Sequence, residues 1–129
     1  MKTYKDIQKS IADLGDKKVE NNVLKSLEVS ITAHFGNTVT CEMLFDNCCL
    51  FSTYNLGALT AEILKAVVEC LDLSQENGLR ISSVKNVPVR TVFDKLSNRV
   101  IGFGHFMRDR FLLAEELLEM AKSNMEADK

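Results

Sequence analysis

The spacing of apolar residues changes repeatedly along this chain, and each change marks a boundary. Tyr4, Ile7, Ile11 and Leu14 recur at steps of three and four, which predicts a helix over residues 3–14 with one narrow apolar seam, stopped by Gly15. Residues 16–22 are polar and predict an exposed connection. From Leu27 the period becomes two. Leu27, Val29, Ile31, Ala33 and Phe35 alternate with polar residues, and Val39, Cys41, Met43 and Phe45 do so again, so a hairpin is expected. Parity selects its turn, because a two-residue loop would split the apolar face between the two sides of the sheet. A three-residue loop over 36–38 instead puts Phe35 opposite Val39 and Ile31 opposite Met43, with Gly36 or Asn37 left-handed.

Residues 48–52 offer a short third strand. Helical spacing returns over 58–73, where Glu62, Lys65, Glu69 and Asp72 form a polar stripe opposite Leu59, Ile63, Val67, Cys70 and Leu71, with the end placed at Asn77-Gly78. Residues 79–84 and 87–93 read as strands around the only proline, Pro88, which belongs at an edge or a strand start. Residues 99–106 read as the last strand. Leu113, Leu117, Met120 and Ala121 mark a C-terminal helix over 112–129, with Asp109 as its N-cap and fraying after Asn124. The order of elements predicts an α+β fold in one domain, residues 1–129, with residues 1–22 as N-terminal helix and connection. An antiparallel sheet of about five strands would carry a central helix between N- and C-terminal helices; two small sheets sharing the central helix is the alternative.

Composition bounds this picture. At 129 residues and 46% apolar content the chain can build one ordinary core. It opens with no charged leader and no run approaches the roughly 20 apolar residues of a membrane span, so a soluble cytoplasmic protein with no membrane partner is expected. Cys41, Cys48, Cys49 and Cys70 lack metal-ligand spacing, even with His34 added, and are expected as buried free thiols with no metal and no cofactor.

Charge is unevenly distributed. Between Arg80 and Arg110 lie seven of the sixteen cations and two of the eighteen acids, a net of +5 in a chain whose total is −2. Such an island is where an anionic ligand would be sought. With a five-residue loop over 94–98, Arg90 would face Gly102 and lie diagonal to Gly104, while Val89 faces Phe103 and Val87 faces His105. One face then carries Val89, Ile101, Phe103 and His105; the other carries Arg90 over bare backbone, a shallow floor for a flat or phosphorylated ligand. The glycines serve equally well to relieve twist or seat a bulge. Arg108 and Arg110 flank the expected start of the last helix, where free N–H groups favour phosphate; alternatively they extend into water or pair with Glu115 and Glu116. The candidate ligand-binding residues are therefore Arg90, Phe103, His105, Phe106, Arg108 and Arg110, the arginines on phosphates and Phe103, Phe106 and His105 against a base. His105 has no nucleophile or metal arrangement beside it, which argues against an enzyme and leaves a hydrogen-bonded structural histidine as the other reading. A pI of 5.7 argues against duplex nucleic acid. The partner classes that remain are a small anionic nucleotide or a protein. The Tyr4–Leu14 seam and the Leu117, Met120 and Met125 face also leave a homo-oligomer open.

The run VPVRTVFDKLSNRVIGFGHFMRDRF, preceded by LGALTAEILKAVVECLDL, resembles small phage and prophage proteins built from a strand hairpin, a glycine-led helix, a V-R-V strand, a G-I-G-H-like strand and a closing D-x-W-F. The matching positions are Gly57, Arg90, Gly102, Gly104, His105, Asp109 and Phe111, within residues 27–111. The chain departs in having LFDNCCLF where a glycine-rich segment is usual, and arginine in place of the aromatic before Phe111. The resemblance implies a phage-derived anti-defence protein in the host bacterial cell, acting by stoichiometric capture. The charge pattern adds the ligand class, an anionic nucleotide signal. The alternative is a protein-binding inhibitor, for example of a CRISPR nuclease, or a structural accessory protein working through apolar surfaces.

Overall fold

The computed structural model describes residues 2–32, 38–46, 48–54, 57–73 and 79–127. The fold is α+β, with three helices on a six-stranded antiparallel sheet. In chain order the elements are α1 (Tyr4–Ile7), β1 (Lys18–Thr32), β2 (Thr38–Phe45), β3 (Cys49–Tyr54), α2 (Gly57–Cys70), β4 (Val87–Phe93), β5 (Val100–His105), β6 (Phe111–Leu113) and α3 (Ala114–Ala127), and the strands lie in the order β3-β2-β1-β4-β5-β6. None of the described helices is long and apolar enough to cross a membrane.

The long β1 serves both halves of the sheet: its first part pairs with β4 and its second with β2. A bulge between Leu24 and Ser26 shifts its parity, which is why Leu24 and Leu27, three apart, both bury on one side. That side packs on α2 and α3 through Met43, Phe45, Ile63, Val67, Val89, Phe103, Leu112 and Leu117. The sheet curls around the two helices until Leu50 of β3 and Phe103 of β5 line one apolar cavity of ≈ 20 Å³ with Cys41, Met43 and Leu117. The opposite face carries a smaller core of Leu14, Val92 and Phe111.

Several expectations change. The helix over 3–14 breaks after Ile7, because Lys9 exchanges two backbone hydrogen bonds with Phe111 (2.8 and 2.9 Å) and must be extended to do so. Tyr4 and Leu14 then bury in different cores, and Leu117 and Met120 bury within the same chain. The expected connection over 16–22 is already strand from Lys18. The β1–β2 pairing keeps its predicted parity but slips, with Ile31 opposite Val39 and Leu27 opposite Met43; the turn itself falls on residues 33–37, outside those described. Residues 79–84 are not a strand but lead into a 3₁₀ turn, Ile81–Ser83. Helix α2 ends at Cys70, short of the expected Asn77-Gly78, which also lies outside the described residues.

At the C-terminal end, residues 111–113 form a sixth strand, and α3 begins only at Ala114, so Asp109 does not cap it. The helix runs past Asn124, which is buried and clamps the backbone of Lys2 through both an accepted (2.9 Å) and a donated (2.8 Å) hydrogen bond. Pro88 stands at the start of β4, as its missing N–H requires.

Candidate functional site

The β4–β5 hairpin pairs Arg90 with Gly104 and Thr91 with Phe103, two residues out of the expected register but with the same parity. A bulge between Val92 and Phe93 in this pairing turns Ile101 onto the Leu14–Val92–Phe111 face, away from Phe103. Arg90, Gly102 and Gly104 do share a face. Its bare floor is filled, however. A Cβ on Gly104 would collide with the Phe111 ring, and one on Gly102 would lie 2.5 Å from the Leu112 carbonyl oxygen. The glycines therefore exist here to admit β6 and the Phe111 ring, which is fully buried. Arg90 covers the ring at 4.5 Å from its centroid.

Arg90 also anchors the loop after β5. Its Nε donates to the His105 carbonyl (2.9 Å) and its Nη2 to the Arg108 carbonyl (2.6 Å). His105 holds the same loop from inside, its Nδ1 accepting the N–H groups of Met107 (3.0 Å) and Arg108 (3.1 Å). Those two bonds make Nδ1 the bare nitrogen and leave the proton on Nε2, which points at Asp72 Oδ2 3.3 Å away. Burial first, and then the charge of Arg110, push the imidazole pKa down against the pull of Asp72, so the ring is neutral near neutral pH. Asp109 closes the loop by accepting the Ile11 N–H at 2.6 Å.

The remaining cations converge on one carboxylate. Arg110 Nη2 donates to Asp72 Oδ2 at 2.6 Å and its Nη1 to the Tyr4 hydroxyl at 3.3 Å, while Arg108 Nε stands 3.7 Å from Asp72 Oδ2. Burial opposes ionisation of Asp72, but the Arg110 hydrogen bond and charge, helped by His105 and Arg108, hold its carboxyl below the usual carboxylate range. Asp72 sits in the left-handed position (φ 55°) of a helix-terminating motif in which its N–H meets the Glu69 carbonyl and the Leu73 N–H meets the Val68 carbonyl. Glycine is usual there.

Of the six candidate residues, Arg90, His105, Arg108 and Arg110 come together at one corner. Phe106 neighbours them, but lines a shallow cleft with Asn21, Asn22, Asp46 and Pro88. Phe103 leaves the site: it is fully buried against the helices, because the odd positions of β5 after the bulge face the core. Arg108 and Arg110 flank β6 rather than a helix start, and Arg110 pairs with Asp72 rather than with Glu115 or Glu116. Asp72 and Tyr4 complete this corner, and the sequence pattern marks them only as part of a polar helical stripe and of the N-terminal apolar seam. The available signal for Asp72 was an acid at the negative end of a helix dipole, where it is disfavoured without a cation.

Cys41 and Cys70 are buried, their thiols pushed up by burial to about 11 and about 12; Cys48 is half-buried and Cys49 exposed, so the expectation of buried thiols fails at Cys49, on the edge strand. Among the described residues no group of three His, Cys, Asp or Glu gathers closely enough to hold a metal ion. No protein-family model, curated protein or solved structure matches the chain.

Proposed function

We propose that the protein works by binding another protein, not by catalysis, and that the contact surface is the loop 106–109. One observation carries this reading: the loop presents Phe106 (39% exposed), Met107 (80%) and the Arg108 side chain (68%) on a backbone fixed from both sides by Arg90 and His105. Aromatic, methionine and arginine side chains are the types enriched at protein interfaces, and a loop ordered beforehand loses little entropy on docking. Ile11, exposed and tied by its N–H to Asp109, adds a third apolar side chain at the same corner.

In the phage setting suggested by the sequence resemblance, this surface suits an anti-defence inhibitor that captures a bacterial host protein, one offering an apolar pocket with an acidic group for Arg108. Sequestration of an anionic nucleotide signal retains one support, the convergence of Arg108, Arg110 and His105 on a single carboxylate. It loses the open glycine floor and the Phe103 platform.

The test is capture of a partner from host lysate, identification by mass spectrometry, and calorimetry with the purified pair. Replacing Phe106 with Ser and Met107 with Glu should weaken that binding by about 2 kcal/mol or more, roughly thirtyfold, while the thermal midpoint of the protein alone stays unchanged. Equal affinity for the altered loop would dismiss it as the contact surface.

A further inference from the structure

We propose that the Asp72 carboxylate fills an anion site from within the chain, and that a phosphate monoester dianion exchanges with it between Arg108, Arg110 and His105. Four observations support the exchange. A single carboxylate oxygen faces all three groups, at 2.6 Å from Arg110 Nη2, 3.3 Å from His105 Nε2 and 3.7 Å from Arg108 Nε. Two guanidinium charges thus meet one negative charge, and a dianion would balance them. The Arg110 Nε is buried with no hydrogen-bond partner, so this fork has a donor to spare. Asp72 itself is held against its preferences, left-handed at φ 55° and at the negative end of the α2 dipole, while half its side chain remains exposed to solvent. Its hold is local, and rotating its side chain outwards would open the site without disturbing either core.

Among the described residues, the groups facing this point are Arg108 and Arg110 before β6, His105 at the end of β5, Tyr4 of α1 through Arg110, and Cys70 at the end of α2, whose thiol stays protonated in its buried setting. None of them offers a second carboxylate to repel the incoming phosphate. The proposal shares Arg108 with the protein-binding loop but needs neither Phe106 nor Met107, so the Phe106 and Met107 replacements test that loop separately.

Calorimetry above neutral pH, with the full chain and inorganic phosphate as probe, tests it. Asp72→Asn keeps a hydrogen-bond acceptor and the tolerance for a left-handed backbone but vacates the charge. It should bind phosphate more tightly than the wild type by roughly tenfold, the scale of one charge-assisted interaction, and adding Arg108→Gln should abolish the gain. With adenosine monophosphate as a second probe, tighter binding than inorganic phosphate supports the proposal with a nucleoside phosphate as ligand; equal binding supports it with the phosphate group alone. If Asp72→Asn does not fold, a phosphate-dependent rise in thermal midpoint seen for the wild type and lost in Arg108→Gln supports the exchange, and an equal rise in both overturns it. An Asp72→Asn protein that folds and binds phosphate no better than the wild type also overturns it, as does a gain that survives Arg108→Gln. Failure here leaves partner capture by the loop untouched.

Discussion

The β2–β3 hairpin and the β5–β6 corner are both antiparallel pairs at the flanks of one sheet, yet they are held by different means. In the first, an unbroken ladder from Val39 opposite Tyr54 to Leu44 opposite Cys49, closed by the Phe45 N–H on the Cys48 carbonyl, fixes the backbone, and Cys41, Met43 and Phe45 bury beneath it. Its own polar side chains add little: Asn22 of β1 accepts the Asp46 N–H (3.2 Å), and the Lys25–Asp46 ion pair nearby is 3.4 Å long with both partners more than half exposed. In the second, β6 is only three residues long, and beyond the His105 N–H on the Arg110 carbonyl and the Arg110 N–H on the Arg108 carbonyl (2.9 Å each) the connection from His105 to Phe111 has no ladder to follow. Side chains replace it: Arg90 and His105 bind four backbone groups of the turn, and Arg110 ties it to Asp72 and Tyr4. A ladder makes a strand wherever the alternation allows one. A specified loop needs polar groups aimed at individual carbonyls and N–H groups, and that effort is concentrated where the exposed Phe106, Met107 and Arg108 stand.

Breaking the corner should therefore cost more than trimming polar groups at the hairpin. Gly104→Ala drives a methyl group into the Phe111 ring and towards the Arg110 carbonyl, both fixed by packing or backbone. It should destabilise by about 3 kcal/mol in urea unfolding, the upper part of the range for overpacking. Arg90→Met keeps the apolar stem over Phe111 but removes two hydrogen bonds to carbonyls and the ring-facing charge. A loss of about 2 kcal/mol is expected, accompanied by proteolytic sensitivity confined to the loop 106–109. Asp46→Asn at the hairpin should change stability by less than about 0.5 kcal/mol in the same titration. A larger loss from Asp46→Asn than from Arg90→Met would reverse the comparison.

The same contrast explains what the sequence made legible. Period-two alternation encodes which side of the sheet a residue faces, so the parity of both hairpins, the α+β class and the buried face of α2 could all be read. Register was not encoded there. The bulges near Lys25 and Ile101 and the longer β1–β2 connection each shift pairing without disturbing the alternation outside them. The grouping of Arg90, Gly102, Gly104 and His105 was legible because all four belong to one hairpin. What fills the space between them was not: Phe111 arrives with a strand too short to show a period, and Asp72 comes from 38 residues away in sequence, at the end of another element. The N-terminal seam failed for a related reason, since helical spacing over residues 3–14 cannot reveal that Lys9 is needed as a strand partner for Phe111.

Acid should undo the corner before the hairpin. Because the folded His105 titrates below its ordinary value of 6.5, the unfolded chain takes up this proton first as pH falls; the stabilisation is complete above that value and declines below it. Asp72, also shifted downwards, contributes fully above its ordinary value of 3.8 and loses its contribution only at lower pH, as the folded carboxyl takes up its proton. Protonation of His105 puts a hydrogen on Nδ1, which then repels the Met107 and Arg108 N–H groups it had accepted. Amide hydrogen exchange at Met107 and Arg108, followed from neutral pH downwards and corrected for intrinsic rates, measures that event directly. Both amides should be protected at neutral pH, with protection falling together below the ordinary histidine range while Met43 in the β2 ladder stays protected. Amides already unprotected at neutral pH, or protected equally throughout, would contradict a loop held in place by the His105 imidazole.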